Sequence, residues 1–284
     1  MTTRLFLLVA VTMTAFAANS VLNRMALADT GTGPAAFAAL RLASGAAFLA
    51  LLVGARGGLA RIRGGVRPWA GAALLVYMLG FSFAYVSLDA GLGALILFGG
   101  VQITMFAGGL LAREAIPPRR WVGAGIAFAG LAWLLWPAGA TAPQPAAAGL
   151  MLAAALGWGI YSLMGRGAGD PLALTGGSFL LATPPALALL AVVPDALTPA
   201  GAALAVVAGA VTSGLGYALW YAVLPGLAGS AAAVVQLTVP VIAMAGGVVF
   251  LGEVVTARAM IAAVLVLGGV AFAVTAPSPR GGRA

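Results

Sequence analysis

Long apolar runs, each close to the length of a membrane crossing and each ended by glycine, proline or a charge, fill almost the whole chain. A helix needs about 20 residues to traverse the hydrocarbon core. Ten such lengths can be marked, near residues 5–25, 34–53, 68–88, 92–112, 119–137, 146–165, 172–193, 201–223, 229–251 and 257–276. The runs are continuous rather than alternating, which favours helices over a membrane barrel. Composition agrees: of 284 residues, 63% are hydrophobic and 7% charged, whereas a soluble domain carries about 25% charge. Soluble enzymes, collagen-like fibres and disordered chains are excluded, and the fold class is an all-α polytopic membrane protein.

The first run begins at Arg4, and Leu5 to Ala18 with Ala15-Phe16-Ala17 imitates a cleavable secretory signal. Its removal would leave nine spans, so the segment is expected to stay as the first of ten. All fourteen basic residues are arginine, and the net charge is +8. With the N-terminus inside, Arg4, Arg56, Arg61, Arg63, Arg67, Arg113, Arg119, Arg120, Arg166, Arg280 and Arg283 fall on the cytoplasmic side, as the positive-inside rule requires. Arg24 and Arg258 fall on the other side, with Asp29, Asp89, Asp195 and Glu253. The basic balance therefore reads as orientation rather than nucleic-acid binding. Both termini are then expected on the cytoplasmic side, and Trp69, Trp121, Trp133 and Trp136 stand near span ends as an interfacial belt would.

Ten spans divide into five and five at the proline-rich 137–145 segment, giving halves 1–140 and 141–284. An odd number per half inserts the halves with opposite orientation. Weak self-similarity supports the division. Tyr85 precedes Gly93 by eight residues, as Tyr221 precedes Gly229; Ala107 to Gly109 and Ala245 to Gly247 are both Ala-Gly-Gly; and the fourth span of each half is followed by a carboxylate, Glu114 or Glu253. Inverted repeats of this kind build many secondary transporters, with the substrate site at the repeat interface near the midplane.

The plan resembles the EamA family of drug/metabolite transporters. The likeness is carried by Asn19-Ser20 and Asn23-Arg24 closing the first span, Phe37 to Arg41 in the second, and Pro240 followed by Phe250-Leu251-Gly252-Glu253. It covers nearly the whole chain. The chain departs from the family pattern before Asn19, where Trp-Gly is common, and at Ala112-Arg113, where Leu-Gly is usual. The resemblance implies export of small metabolites, and within the family the chain looks like the YddG-type bacterial aromatic amino-acid exporters.

Polar side chains inside spans are costly unless paired or wet, so each is a candidate for substrate binding. Thr12, Phe16, Asn19 and Asn23 form one helical stripe on the first span. Tyr77, Phe81 and Tyr85 form another on the third, beside Ser82. Gln102 in the fourth and Gln236 in the ninth can each donate and accept hydrogen bonds. Trp158, near a span centre, has Tyr161 three residues on along the same face, and Tyr217 clusters with Trp220 and Tyr221 on the eighth. Each of these could instead glue helices together or face lipid. Arg41 is the one strongly ionisable residue well inside a span; it could snorkel, pair with Asp29 or Asp89, or bind a substrate carboxylate. Glu114 and Glu253, at span ends, are expected to fix helix termini, and Pro240 to break the ninth helix.

With no His, Cys or Lys, there is no nucleophile–base pair, no metal set and no P-loop, so no enzyme activity, cofactor or ATP site is expected. The expected function is secondary transport of a small metabolite, an aromatic or other neutral amino acid, by alternating access across the lipid bilayer. Without a central acid, passive gradient-driven facilitation is expected. Broad drug or metabolite export and a non-transporting membrane scaffold are the alternatives, and the sequence leaves the oligomeric state open.

Overall fold

The computed structural model describes residues 2–113, 116–137, 139, 142–165, 168–227 and 229–274. Helices occupy all ten expected spans: α1 (Thr3–Asp29), α2 (Pro34–Ala55), α4 (Pro68–Ala84), α5 (Ala90–Leu111), α6 (Pro118–Leu135), α7 (Pro145–Gly165), α8 (Pro171–Val192), a composite eighth span over Pro199–Gly226, a ninth in two pieces, and α13 (Ala257–Val274). A short helix, α3 (Ala60–Gly65), interrupts the arginine-rich segment that the sequence presents only as a break. No strand occurs among the described residues. The prolines that punctuate the apolar runs start the helices: Pro34, Pro68, Pro118, Pro145, Pro171 and Pro199 are each the first residue of one. Proline lacks an N–H that the first turn would leave unpaired anyway, and its fixed φ suits that position.

Two spans are irregular for physical reasons. The eighth consists of α9 (Pro199–Val206), a nine-residue π-helical stretch (Val207–Leu215) and α10 (Gly216–Val223). Gly209 lies so close to α2 that a Cβ there would collide with the Arg41 carbonyl and the Ser44 hydroxyl. The ninth span breaks at Leu237, between α11 (Gly229–Gln236) and α12 (Thr238–Leu251). Pro240 is the third residue of α12; it offers no N–H to the Gln236 carbonyl and its ring crowds that group. The interruption thus falls one turn ahead of the proline.

The helix contacts have the symmetry of an inverted repeat. Exchanging the first-half spans (α1, α2, α4, α5, α6) for their counterparts in order (α7, α8, α9–α10, α11–α12, α13) turns the packing of α4 on α7 into that of α1 on the eighth span. It likewise turns α5 on α7 into α1 on α12, and α4 on α8 into α2 on the π-helical stretch. The pairs α2–α8, α5–α12 and α6–α13 map onto themselves. Close approach depends on small residues, as is usual where lipid supplies no hydrophobic drive between helices. A Cβ on Gly123 or Gly269, for instance, would meet the facing helix's backbone across the α6–α13 contact.

Charges separate to the two ends of the bundle. One end carries Asp29, Asp89, Asp195, Glu253, Arg24 and Arg258; the other carries Asp170 with Arg56, Arg61, Arg63 and Arg67, and with Arg113, Arg119 and Arg120. Trp69, Trp121, Trp133 and Trp136 are exposed near helix ends, in the belt position.

Candidate functional site

The centre of the bundle is a cage of aromatic rings around Trp158 of α7. Its indole centroid lies 4.9 Å from that of Tyr77, 5.0 Å from Tyr217, 5.5 Å from Tyr161 in a stacked pair, and 6.5 Å from Phe16 edge-on. Phe16 also meets Tyr217 at 5.7 Å and Trp220 at 6.0 Å. On α4, Tyr77 leads to Phe81 at 5.3 Å and Phe81 to Tyr85 at 4.7 Å, so the stripe spaced four residues apart stacks along one helix face. The rings enclose a void of about 10 Å³, lined by Phe16, Asn19, Ser20, Tyr77, Phe81, Leu97, Phe98, Trp158 and Tyr217. That is room for about one water.

A polar cluster backs this cage. Asn19 Oδ1 accepts from Arg41 Nη2 at 3.0 Å and from the Ser213 hydroxyl at 3.2 Å, and lies 2.6 Å from the Thr212 hydroxyl. Its Nδ2 donates to the Thr212 carbonyl at 3.3 Å, an acceptor on the π-helical stretch. Such stretches recur at functional sites. Arg41 is fully buried. Its Nε and Nη2 donate to Ser213 Oγ at 3.2 and 3.0 Å, and its Cζ sits 5.1 Å from the Phe81 ring centroid and 5.8 Å from that of Tyr77. It therefore neither snorkels nor pairs with Asp29 or Asp89.

Of the residues singled out in the sequence, Asn19, Tyr77, Phe81, Trp158 and Tyr217 line the central void, and Tyr161 stacks on Trp158 one turn away. Asn23, Ser82 and Tyr85 are buried in a neighbouring layer held by their own bonds. Asn23 Nδ2 donates to the Asn19 carbonyl at 2.8 Å, Ser82 donates to Asn23 Oδ1 at 3.1 Å, and the Tyr85 hydroxyl donates to the Ala90 carbonyl at 3.2 Å. Gln102 and Gln236 are half-buried and do not line the void. Ser20, Leu97, Phe98, Thr212 and Ser213 join the centre without having been singled out. For Ser213 a signal exists: in the register that aligns Tyr85 with Tyr221, Ser213 falls opposite Tyr77 and Tyr217 opposite Phe81.

A larger cavity of about 290 Å³ opens at the acid-rich end, among the loops that carry Ser87, Asp89, Gln144, Glu253 and Thr256. Its size does not make it the better candidate, because the buried charge and the ring cage lie elsewhere. The chemistry of this end is closure. Glu253 caps α5, both carboxylate oxygens accepting from the Ala90 N–H at 2.8 and 2.9 Å, and Arg24 lies 3.7 Å from Glu253 and 3.9 Å from Asp89. Arg24 also donates to the Tyr85 and Val86 carbonyls at 3.1 and 2.9 Å. Burial pushes the Glu253 carboxyl above its ordinary value; the Ala90 N–H and Arg24 only partly offset this. Asp195 caps α2 in the same way, accepting from the Ala35 N–H at 2.6 Å. Glu114 lies outside the described residues.

At the arginine-rich end, Arg61 reaches Asp170 at 2.6 Å, and Asp170 caps α8 by accepting from the Ala173 N–H at 3.0 Å. Burial raises the Asp170 carboxyl, but the Ala173 N–H and Arg61 outweigh it and hold the group below its ordinary 3.8. Among the described residues no cluster of metal-ligating side chains occurs.

Residues 146–275 match the EamA-like transporter family. An uncharacterized protein of Pseudomonas aeruginosa is 48% identical over 99% of this chain and 97% of its own length. A solved crystal structure superposes with a TM-score of 0.64 over 94% of this chain and 98% of that one, at 21% identity, a likeness of fold.

Proposed function

We propose that this chain, whose residues 146–275 match the EamA-like transporter family and which is a multi-pass membrane transporter of the drug/metabolite type, carries aromatic or other neutral amino acids out of the cell through the centre of the bundle. The observation that supports this reading is the Trp158 cage beside Asn19, where rings from α1, α4, α7 and the eighth span meet buried polar groups. Ring pairs add roughly 0.5–1.5 kcal/mol beyond the area they bury, so a substrate ring would gain on several sides once the halves part and the void of about 10 Å³ widens to admit it. The proposal places the protein in the bacterial inner membrane with both termini cytoplasmic, the halves 1–140 and 141–284 rocking against one another in alternating access. The ion pairs at the acid-rich and arginine-rich ends are where such rocking would open the path. No carboxylate lies in the centre among the described residues, so transport follows the substrate's own gradient.

Purified protein in liposomes tests the reading. Trp158→Ala and Asn19→Ala, matched to wild type in protein level, are expected to lower amino-acid flux at least tenfold. Unchanged flux in both variants, or a wild type that moves neither amino acids nor drug-like cations, would leave a scaffold as the better account.

A further inference from the structure

We infer that Arg41 is the anchor for a single carboxylate on the transported molecule, with the Tyr217 hydroxyl as its second donor. The amino-acid framework rests on the function proposed above, which this inference deepens by naming the group that is recognised and the atoms that recognise it.

A guanidinium in a dry interior is expensive unless a counter-charge or a full set of hydrogen bonds repays its desolvation, and within a membrane span the cost is retained only where the charge has a task. Arg41 is fully buried, yet its partners are neutral: Ser213, Asn19 and the faces of Phe81 and Tyr77. The acidic residues among those described all stand at helix ends or in loops, and none forms an ion pair with it. Nη1 has no hydrogen-bond partner at all.

A second orphan lies close by in the fold. The Tyr217 hydroxyl is buried and likewise without a partner. Tyr217 is one helical turn beyond Ser213, which holds Arg41, and its ring lines the void together with Asn19, Tyr77 and Phe81. Tyr217 thus lines the void, and Arg41 packs directly behind its lining, against Asn19, Tyr77 and Phe81; their two unspent donors suit the same acceptor.

The count of charges selects the acceptor. One arginine with no second cation among its contacts balances one negative charge, a carboxylate, which Nη1 can hold through a charge-assisted bond beside the Tyr217 hydroxyl. The surrounding rings then select an apolar or aromatic body for the molecule that bears the carboxylate.

Binding by quenching of tryptophan fluorescence tests this directly on the purified full chain, with L-phenylalanine, 3-phenylpropionate, phenylalaninamide and phenethylamine as probes. Both carboxylates are expected to bind at least tenfold more tightly than the amide and the amine. Arg41→Gln is expected to abolish that preference and Arg41→Lys to retain part of it. Equal binding of the amide and the acid to wild type, or no binding of either carboxylate, would overturn the inference, and neither result depends on whether the variants fold. Binding of both carboxylates by a wild type that transports no amino acid would uphold the anchor and defeat only the amino-acid reading.

Discussion

Arg24 and Arg41 are both partly or wholly withdrawn from solvent, yet they are treated in opposite ways. Arg24, at the end of α1, faces two carboxylates and donates to two backbone carbonyls. Arg41, in the middle of α2, faces two rings and two neutral oxygen-bearing groups, with one nitrogen left over. The first arrangement is that of a clamp, completed by the protein itself. The second is incomplete, and the difference separates the ends of the bundle, where charge closes loops together, from the centre, where charge awaits a partner from outside.

The comparison can be broken most severely at Arg41. Arg41→Gln is expected to reduce amino-acid counterflow by about 100-fold or more, since losing one partner of a buried hydrogen-bonded charge pair costs several kcal/mol and each 1.4 kcal/mol is tenfold. A fall of less than threefold, measured at equal protein level, would make Arg41 merely structural. Trp158→Ala comes next: losing several ring contacts should raise the substrate concentration for half-maximal flux about tenfold, read from a saturation curve.

Substitutions at the ends should act on stability and leave substrate affinity alone. Glu253→Gln keeps a cap on α5 and removes a carboxylate whose burial outweighs Arg24 and the Ala90 N–H, so its melting temperature in detergent at neutral pH is expected to lie slightly above that of wild type. The Glu253 carboxyl is raised above its ordinary 4.5, so its folded form favours the proton, and its contribution to stability is present at low pH and lost as pH climbs through the raised value. Glu253→Gln should remove that loss. Asp170→Asn is the smallest, a few tenths of a kcal/mol for a pair about one-third exposed. Its sign is reversed. The Asp170 carboxyl is held below 3.8, so its stabilisation is present above that pH and fades as acid is added; the melting temperature of wild type should drop on acidification more than that of Asp170→Asn.

The spans were legible because lipid leaves little freedom: apolar runs of the right length, with prolines at their starts, admit one kind of structure. The repeat signs also had physical causes that the structure supplies. Gly93 leaves the space that the Tyr85 ring occupies, and Gly247 leaves the space for the Glu253 carboxylate. The centre was legible only in part. Helical stripes show which residues share a face but not which faces meet, so Trp158, Tyr77 and Tyr217 stood out singly while their convergence did not. Arg41 invited a search for acids, whereas its partners are a serine 172 residues away and an asparagine 22 away. The π-helical stretch that presents Ser213 carries no proline, and its Gly209 packs against the backbone of α2, a tertiary contact that local pattern does not show. Gln102 and Gln236 show the converse, polar residues in spans that the fold leaves outside the cage.

The central claim is that an uncharged path with one buried cation carries a carboxylate-bearing substrate down its own gradient. The most direct measurement is counterflow of labelled L-phenylalanine into liposomes loaded with the unlabelled amino acid, with a protonophore present and equal pH on both sides. The account predicts transient accumulation of label in wild type and none in Arg41→Gln. Accumulation that disappears with the protonophore, or that persists undiminished in Arg41→Gln, would contradict it.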